Sequence, residues 1–82
     1  MKYFVYVLHS SSNNKYYTGM TTDLARRLKE HNSGKTKSVK AYIPWKIIYT
    51  EEYDSEIEAR KREKYLKSGS GREYLKQIKI RV

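Results

Sequence analysis

Two side chains on the first predicted helix could bind an anion and move a proton. Arg27 and His31 are four residues apart, so they share one face of that helix. Arginine presents a planar fork of donors that fits two phosphate oxygens, and histidine can pass a proton near neutral pH. The alternative interpretation is an exposed arginine and histidine on a basic helix.

A carboxylate lies beside the buried face of the second predicted helix. Ala59 and Leu66 are seven residues apart and face the same way, and Glu63 lies within about 40° of them by the 100° step of a helix. An ion close to buried surface is costly unless a cation compensates it. Glu63 is therefore either paired with an Arg or Lys or bound to a metal ion, and its position leaves both interpretations open.

Three strands are predicted to support these groups. Tyr3 to His9 is β-branched and aromatic with two apolar faces, which predicts a central strand. Lys15 to Gly19 is a second short strand that forms a hairpin with the first, and Trp45 to Tyr53 alternates as a third. Tyr6 and Tyr17 then lie on neighbouring strands.

The first helix follows the hairpin. Thr21 or Thr22 can cap it, Asp23 suits its first turn, and Gly34 stops it after about Asn32. Its predicted buried stripe is narrow and comprises Leu24, Ala25 and Leu28.

Capping signals mark the second helix. Ser55 and Glu58 form a capping-box pair that opens a helix continuing to about Lys67. We expect a break at Ser68 to Gly71 and a third helix from Arg72 to about Ile80. The order β-β-α-β-α-α predicts a single α+β domain over residues 1–82, with helices packed on a three-stranded antiparallel sheet.

Charge and composition limit the partners. The chain has 18 Lys and Arg against 9 Asp and Glu, a net charge of +9, and no cysteine, which excludes disulfides and thiolate metal sites. The apolar run from Phe4 to Leu8 is too short to span a membrane, and the N-terminus lacks the order of a signal peptide. We therefore expect a soluble, cytoplasmic protein, a monomer, that does not bind membranes.

Basic residues clustered along the sequence of a small domain indicate a polyanionic partner. Nucleic acid is favoured over a membrane surface as that partner. The alternative is a well-solvated surface. The candidates for contact with a nucleic-acid backbone lie in the loop after the first helix and on the second helix: Lys35, Lys37, Lys40, Arg60, Lys61, Arg62, Lys64 and Lys67.

Together these residues resemble the pattern of the GIY-YIG nucleases, which are named after two tripeptides. The matching positions are Phe4-Val5-Tyr6, Tyr17-Thr18-Gly19, Arg27 with His31, and Glu63 on a later helix. Both tyrosines and Gly19 remain, whereas Phe4, Val5 and Thr18 replace the other named residues. The resemblance spans Tyr3 to about Lys67 and is closest to small members in which this fold is the whole protein.

The resemblance implies a role for each of five residues. Tyr6 would be the general base or position the attacking water, with Tyr17 as its partner at the reacting phosphate. Arg27 would hold that phosphate through the transition state, and His31 stands where family members place a His or Tyr that relays the proton. Glu63 would be the sole protein ligand of a divalent cation, Mg²⁺ or Mn²⁺. Because the pKa of a free tyrosine is about 10, Arg27 or the metal must favour the phenolate if Tyr6 is a base at neutral pH.

Three functions remain open at this point. The first is a metal-dependent endonuclease that acts on nucleic acid, for which DNA is the favoured substrate over RNA. The second is a nucleic-acid-binding module on the same fold without catalysis. The third is a protein-interaction domain whose acidic segment from Glu51 to Glu58 meets a basic partner.

Overall fold

The computed structural model describes residues 1–34 and 42–78. Its elements follow the predicted β-β-α-β-α-α order: β1 (Tyr3–Ser10), β2 (Lys15–Thr21), α1 (Leu24–Asn32), β3 (Trp45–Tyr53), α2 (Glu56–Lys67) and α3 (Gly69–Gln77). The predicted α+β fold with a three-stranded antiparallel sheet is confirmed.

β1 is the centre of the sheet, as its two apolar faces predicted. The strand order is β2-β1-β3, and both neighbours run antiparallel to β1. Tyr6 lies opposite Gly19 on β2 and opposite Thr50 on β3. β2 and β3 are therefore the edge strands, and within residues 1–34 and 42–78 no strand pairs with the outer edge of β2.

Hydrophobic side chains form one cluster on each face of the sheet, because successive strand residues point to opposite faces. Val5 and Val7 pack with residues of α2 and α3 on one face, namely Ala59, Leu66 and Leu75. Tyr6 and Leu8 pack on the other face with Trp45, against Leu24 and Leu28 of α1. Among the described helices, α1 covers the face that holds Tyr6, and α2 and α3 cover the other.

The start of α1 differs from the prediction. Asp23 is the N-cap, since its carboxylate accepts the backbone N–H of Arg26 at 3.0 Å, and Thr21 instead accepts the N–H of Asp23 at 3.1 Å. Ala25 is exposed, so it does not belong to the buried stripe. Gly34 has a φ of 77° just after the helix, which agrees with the predicted stop.

The break between the last two helices is shorter than predicted. Ser68 ends α2 and also caps α3, because its hydroxyl accepts the backbone N–H of Gly71 at 3.2 Å. One residue therefore replaces the four-residue break expected at Ser68 to Gly71. A Cβ on Gly71 would lie 2.0 Å from the carbonyl oxygen of Tyr65, so the two helices approach closely where Gly71 has no side chain.

Three predicted contact residues, Lys35, Lys37 and Lys40, and the expected helix end at Ile80 lie outside the described residues. No helix within residues 1–34 and 42–78 has the length and apolar character needed to cross a membrane.

Candidate active site

The Tyr6 hydroxyl is at the centre of the candidate site. The Tyr6 side chain is 1% exposed and lies across the sheet from Gly19. A Cβ on Gly19 would be 2.6 Å from the Tyr6 hydroxyl oxygen and 3.0 Å from a ring carbon of Tyr17. Glycine is therefore required here for the close approach of two tyrosine rings.

Arg27 reaches from α1 to the sheet, as its position on the helix predicted. Its Nε donates to the Tyr6 hydroxyl at 3.2 Å, and its Nη1 donates to Glu30 at 3.1 Å. The Arg27 side chain is 41% exposed, so part of the guanidinium is accessible to an anion in solvent. The Tyr6 hydroxyl, and to a smaller extent Glu30 and Tyr17, hold the pKa of Arg27 above its ordinary value against the effect of burial.

His31 packs among aromatic rings on the same side of the sheet. Its Nε2 lies 3.4 Å from the Tyr6 hydroxyl, a long hydrogen bond, and its ring contacts Tyr17 and Trp45 edge-on at centroid distances of 4.7 and 6.1 Å. Its Nδ1 is buried and has no hydrogen-bond partner among the described residues. The described part of the chain therefore gives the imidazole one polar partner, the hydroxyl of Tyr6.

The electrostatics of the site correct one expectation. Burial raises the pKa of Tyr6, and the hydrogen bond from Arg27 opposes this rise without overcoming it. Arg27 alone therefore does not favour a Tyr6 phenolate at neutral pH. Burial and the charge of Arg27 lower the pKa of His31, so the imidazole is neutral there.

Glu63 lies on α2 beside the buried Ala59 and Leu66, as predicted. Its side chain is 17% exposed, and its Oε2 accepts a hydrogen bond from the Lys67 ammonium at 3.1 Å. The structure thus shows the ion pair that was one of the two interpretations. The Glu63 charge makes the smallest contribution to raising the pKa of Tyr6, and no direct contact joins Glu63 to Tyr6, Arg27 or His31 among the described residues.

The described surroundings of Glu63 restrict which cation fits. Within residues 1–34 and 42–78 no three His, Cys, Asp or Glu side chains cluster as a metal site would require. Mg²⁺ keeps several waters and binds through one or two carboxylates plus substrate phosphates, so Glu63 alone is compatible with it. The Glu63 carboxylate is already paired with one cationic group, the Lys67 ammonium. Glu63 therefore fits a hydrated divalent ion completed by substrate oxygens.

The candidate contact residues on α2 differ in their environment. Lys61 and Lys64 are exposed and form no ion pair with any described residue, whereas Arg60 pairs with Glu56 at 3.4 Å. Lys67 pairs with Glu63. Their contact with nucleic acid stays a prediction, with Lys61 and Lys64 the most available.

The Arg62 guanidinium is engaged by side chains of the same protein. Its Nε and Nη2 donate to the two carboxylate oxygens of Glu51 at 2.8 and 3.1 Å, and its guanidinium lies over the rings of Tyr65 and Tyr74 at 4.9 and 4.7 Å. Burial raises the pKa of Glu51, but hydrogen bonds from Arg62, Tyr49 and Tyr53 outweigh it and lower that pKa overall. We assign Arg62 a structural role, joining α2 to β3 and α3.

Most acids between Glu51 and Glu58 are also engaged within the chain. Besides Glu51, both Glu52 and Asp54 pair with Lys2, and Glu56 pairs with Arg60. Glu52, Asp54 and Glu56 remain exposed although they are paired, so contact of this segment with a basic partner stays a hypothesis.

Sequence reasoning missed three residues that shape the site. The Trp45 ring contacts the rings of Tyr17 and His31, and the Glu30 carboxylate accepts a hydrogen bond from Arg27. Asn32 joins the end of α1 to β3, because its amide donates to the Trp45 carbonyl at 3.1 Å and accepts from the Trp45 N–H at 2.7 Å. The signals were weak: a lone tryptophan, an acid three residues after an arginine, and an asparagine at a helix end.

Comparison with known proteins gives consistent results. A family model described as the GIY-YIG catalytic domain matches residues 2–76. A UPF0213 protein of Streptococcus agalactiae is 40% identical over 77 residues, which cover 93% of this chain and 86% of that protein. A UPF0213 protein of Staphylococcus haemolyticus is 37% identical over 81 residues, which cover 98% of each. The solution NMR structure of a UPF0213 protein from Bacillus halodurans matches with a TM-score of 0.58 and 34% identity, covering 96% of this chain and 86% of that one.

Proposed function

Because this chain belongs to the GIY-YIG family, as its motifs predicted, we propose that it is a metal-dependent endonuclease that hydrolyses phosphodiester bonds in nucleic acid, with DNA ahead of RNA. The observation that carries the proposal is the Tyr6 hydroxyl, 3.2 Å from Arg27 Nε and 3.4 Å from His31 Nε2. A hydroxyl between a phosphate-binding cation and a proton acceptor is suited to water attack on a phosphodiester. We expect it to act in the cytoplasm as a monomer.

Proton movement in this proposal uses Tyr6 and His31 together. The raised pKa of the buried Tyr6 phenol keeps it protonated, so it orients the attacking water and does not act as a free phenolate. As water attacks the phosphorus, its proton passes to the Tyr6 oxygen while the Tyr6 proton passes to His31 Nε2. The imidazole is available because burial lowers its pKa and leaves it neutral. That proton then leaves to the departing oxygen or to solvent.

Arg27 stabilises the charge that develops on the phosphoryl oxygens. Its Nε is held by Tyr6 and its Nη1 by Glu30, so the planar fork is oriented before substrate binds. Positioned donors of this kind typically contribute about 2.7–4 kcal/mol to transition-state stabilisation. Mg²⁺ or Mn²⁺ held by Glu63 would supply additional charge neutralisation on the phosphate.

The experiment is incubation of the purified protein with labelled DNA and RNA, linear, branched and single-stranded, in Mg²⁺ or in EDTA. We expect cleavage of at least one substrate in Mg²⁺, and none in EDTA. Glu63→Gln and Tyr6→Phe should abolish cleavage while nucleic-acid binding remains. Glu56→Gln removes another i,i+4 ion pair from the same helix, and Tyr65→Phe removes another phenol. Both controls should cleave as the wild type does.

The second candidate is a nucleic-acid-binding module without catalysis. The observation that favours it is the Glu63–Lys67 ion pair, since an ammonium held at the carboxylate can make a metal unnecessary. This function predicts binding that is indifferent to EDTA, to Glu63→Gln and to Tyr6→Phe, with no cleavage of any substrate in the panel.

A further inference from the structure

A pocket opens between β2 and the helices α2 and α3, on the sheet face opposite Tyr6. Its volume is about 230 Å³. Leu66 and Leu75 line its inner end, where both are only 1% exposed. Tyr16 and Thr18 line it from the edge strand β2. None of these four residues has a role in the proposed hydrolysis.

The pocket lining carries two cations, and Glu63 compensates one of them, Lys67. Lys67 and Arg72 contribute the two charged groups of its lining, and none of the described lining residues is acidic. Arg72 is exposed and forms no ion pair with any described residue. Two cations beside an apolar and aromatic surface suit a ligand that has both a phosphate and a flat ring.

The pocket lies on the sheet face that α2 and α3 cover, opposite the face that holds Tyr6, and two of its lining residues also contact the candidate active site. Tyr17 lines the pocket and also contacts the His31 ring at 4.7 Å. Lys67 lines the pocket and also binds Glu63. A strand bound at Glu63 would therefore meet this pocket at Lys67, around the edge of β2. At about 230 Å³ the pocket is smaller than a typical small-molecule site of about 300–1,000 Å³, which favours a single nucleotide unit.

We propose that this pocket binds the nucleotide adjacent to the scissile phosphate, with its phosphate between Lys67 and Arg72 and its base against Tyr16. The inference rests on the proposed function, because the nucleotide belongs to the strand that is cut. Contact through a phosphate and a ring face positions a strand without reading its sequence. Arg72, Tyr16 and Thr18 thereby become binding residues.

The test measures binding in EDTA, so that cleavage does not contribute. Fluorescence anisotropy with short labelled single-stranded DNA and RNA of the same sequence compares the wild type with Arg72→Gln and Lys76→Gln. Lys76 is on the same helix and pairs with Glu73 at 3.6 Å, outside the pocket lining, so the two variants lose the same charge. We expect Arg72→Gln to bind roughly tenfold more weakly, the effect of losing one charge-assisted hydrogen bond. The slope of log affinity against log salt concentration should also become shallower, by the amount expected for the loss of about one phosphate contact.

A second variant separates the pocket from general electrostatics. Thr18→Leu fills the pocket without changing the charge and should weaken binding of both oligonucleotides, with circular dichroism showing that the fold is kept. A preference between the two oligonucleotides would identify the sugar that the pocket takes. Equal affinities for Arg72→Gln and Lys76→Gln, no effect of Thr18→Leu, or no binding by the wild type would each overturn the proposal.

The two proposals can fail separately. If no substrate is cleaved in Mg²⁺ but Arg72→Gln and Thr18→Leu both weaken binding in EDTA, the nucleotide pocket stands and the nuclease does not. If the protein cleaves but neither variant changes binding, the nuclease stands and the pocket assignment is wrong.

Discussion

The ammonium of Lys67 lies 3.1 Å from the carboxylate of Glu63, so the proposed metal ligand already holds a cation. The Lys67 side chain is 53% exposed and the Glu63 side chain 17% exposed. An i,i+4 pair of this kind contributes only about 0.3–0.5 kcal/mol on a helix. The pair compensates a partly buried charge and is weak enough for a divalent ion to displace it.

Removing the competing ammonium should strengthen metal binding. We expect Lys67→Met to bind Mn²⁺ roughly twofold more tightly in the absence of nucleic acid, in line with the free energy of an i,i+4 ion pair on a helix. Titration followed by electron paramagnetic resonance of free Mn²⁺ measures the affinity. Lys64→Met removes the same charge from the same helix and is the control. Equal affinities for the two variants would mean that Lys67 does not compete for Glu63.

A side chain at Gly19 should damage activity more than stability. The Cβ in Gly19→Ala would lie 2.6 Å from the Tyr6 hydroxyl, so the phenol must move away from Arg27 and His31. A displacement of about 1 Å can cost about a hundredfold in rate. Single-turnover cleavage measures this loss, and binding in EDTA should change little. Unchanged cleavage by Gly19→Ala would show that the Tyr6 position is not critical.

Gly71→Ala and Gly69→Ala should change stability in opposite directions. A Cβ on Gly71 would lie 2.0 Å from the Tyr65 carbonyl oxygen and 2.4 Å from the Leu66 Cα, whereas a Cβ on Gly69 would meet no atom within 4 Å. We expect Gly71→Ala to lower the free energy of unfolding by about 1–3 kcal/mol or more. Gly69→Ala should raise it by about 0.4–1 kcal/mol through the unfolded chain. Urea denaturation of both variants gives the two values, and destabilisation of equal size would contradict the packing of α2 against α3.

Arg62→Lys should be destabilising although it keeps the charge. Lysine cannot reproduce the two-point contact with Glu51 or the planar packing over Tyr65 and Tyr74. We expect a loss of about 1–2 kcal/mol in the free energy of unfolding, less than the complete break of a buried ion pair. Arg60→Lys alters an exposed pair with Glu56 and should be nearly neutral in the same urea experiment. Equal effects would mean that Arg62 has no structural role.

His31 should make stability depend on pH in a defined window. Burial and the charge of Arg27 lower its pKa below the ordinary value of 6.5 in the folded chain. Between the folded and unfolded pKa values the unfolded chain binds more protons, so the free energy of unfolding rises with pH. The contribution is complete above about pH 6.5 and is lost as pH falls through the folded pKa.

Urea denaturation at several pH values between about 5 and 8 measures this slope. His31→Gln should remove the His31 part of the slope, whereas His9→Gln should retain it because His31 is still present. An identical slope in His31→Gln and the wild type would contradict the assignment.

Much of the fold could be predicted because the signals are local. Alternation in β1 and β3, and the Ser55 cap of α2, act within a few residues of the chain. The cap of α1 was wrong because Thr21, Thr22 and Asp23 are consecutive and all three residue types can cap a helix. The predicted break before α3 was too long. Glycine does not favour a helix locally, and Gly71 is needed in α3 because the helix passes close to α2 at that residue.

The site was partly predictable for the same reason. The i,i+4 spacing of Arg27 and His31 is a local signal, and the structure brings both side chains to Tyr6. Lys67 as the partner of Glu63 follows from helical spacing as well, but spacing cannot choose between an ion pair and a metal. The rise in the pKa of Tyr6 depends on burial beneath residues distant in sequence, which no local pattern contains.

The amide of Asn32 has a consequence for protein engineering. By binding both the N–H and the carbonyl of Trp45, it fixes the separation of the two chain ends that flank residues 33–44. Doubling the length of a loop whose ends are held together costs only about 0.6 kcal/mol in chain entropy. A peptide tag or a lanthanide-binding sequence inserted between residues 33 and 44 should therefore leave the Asn32–Trp45 contact between α1 and β3 intact.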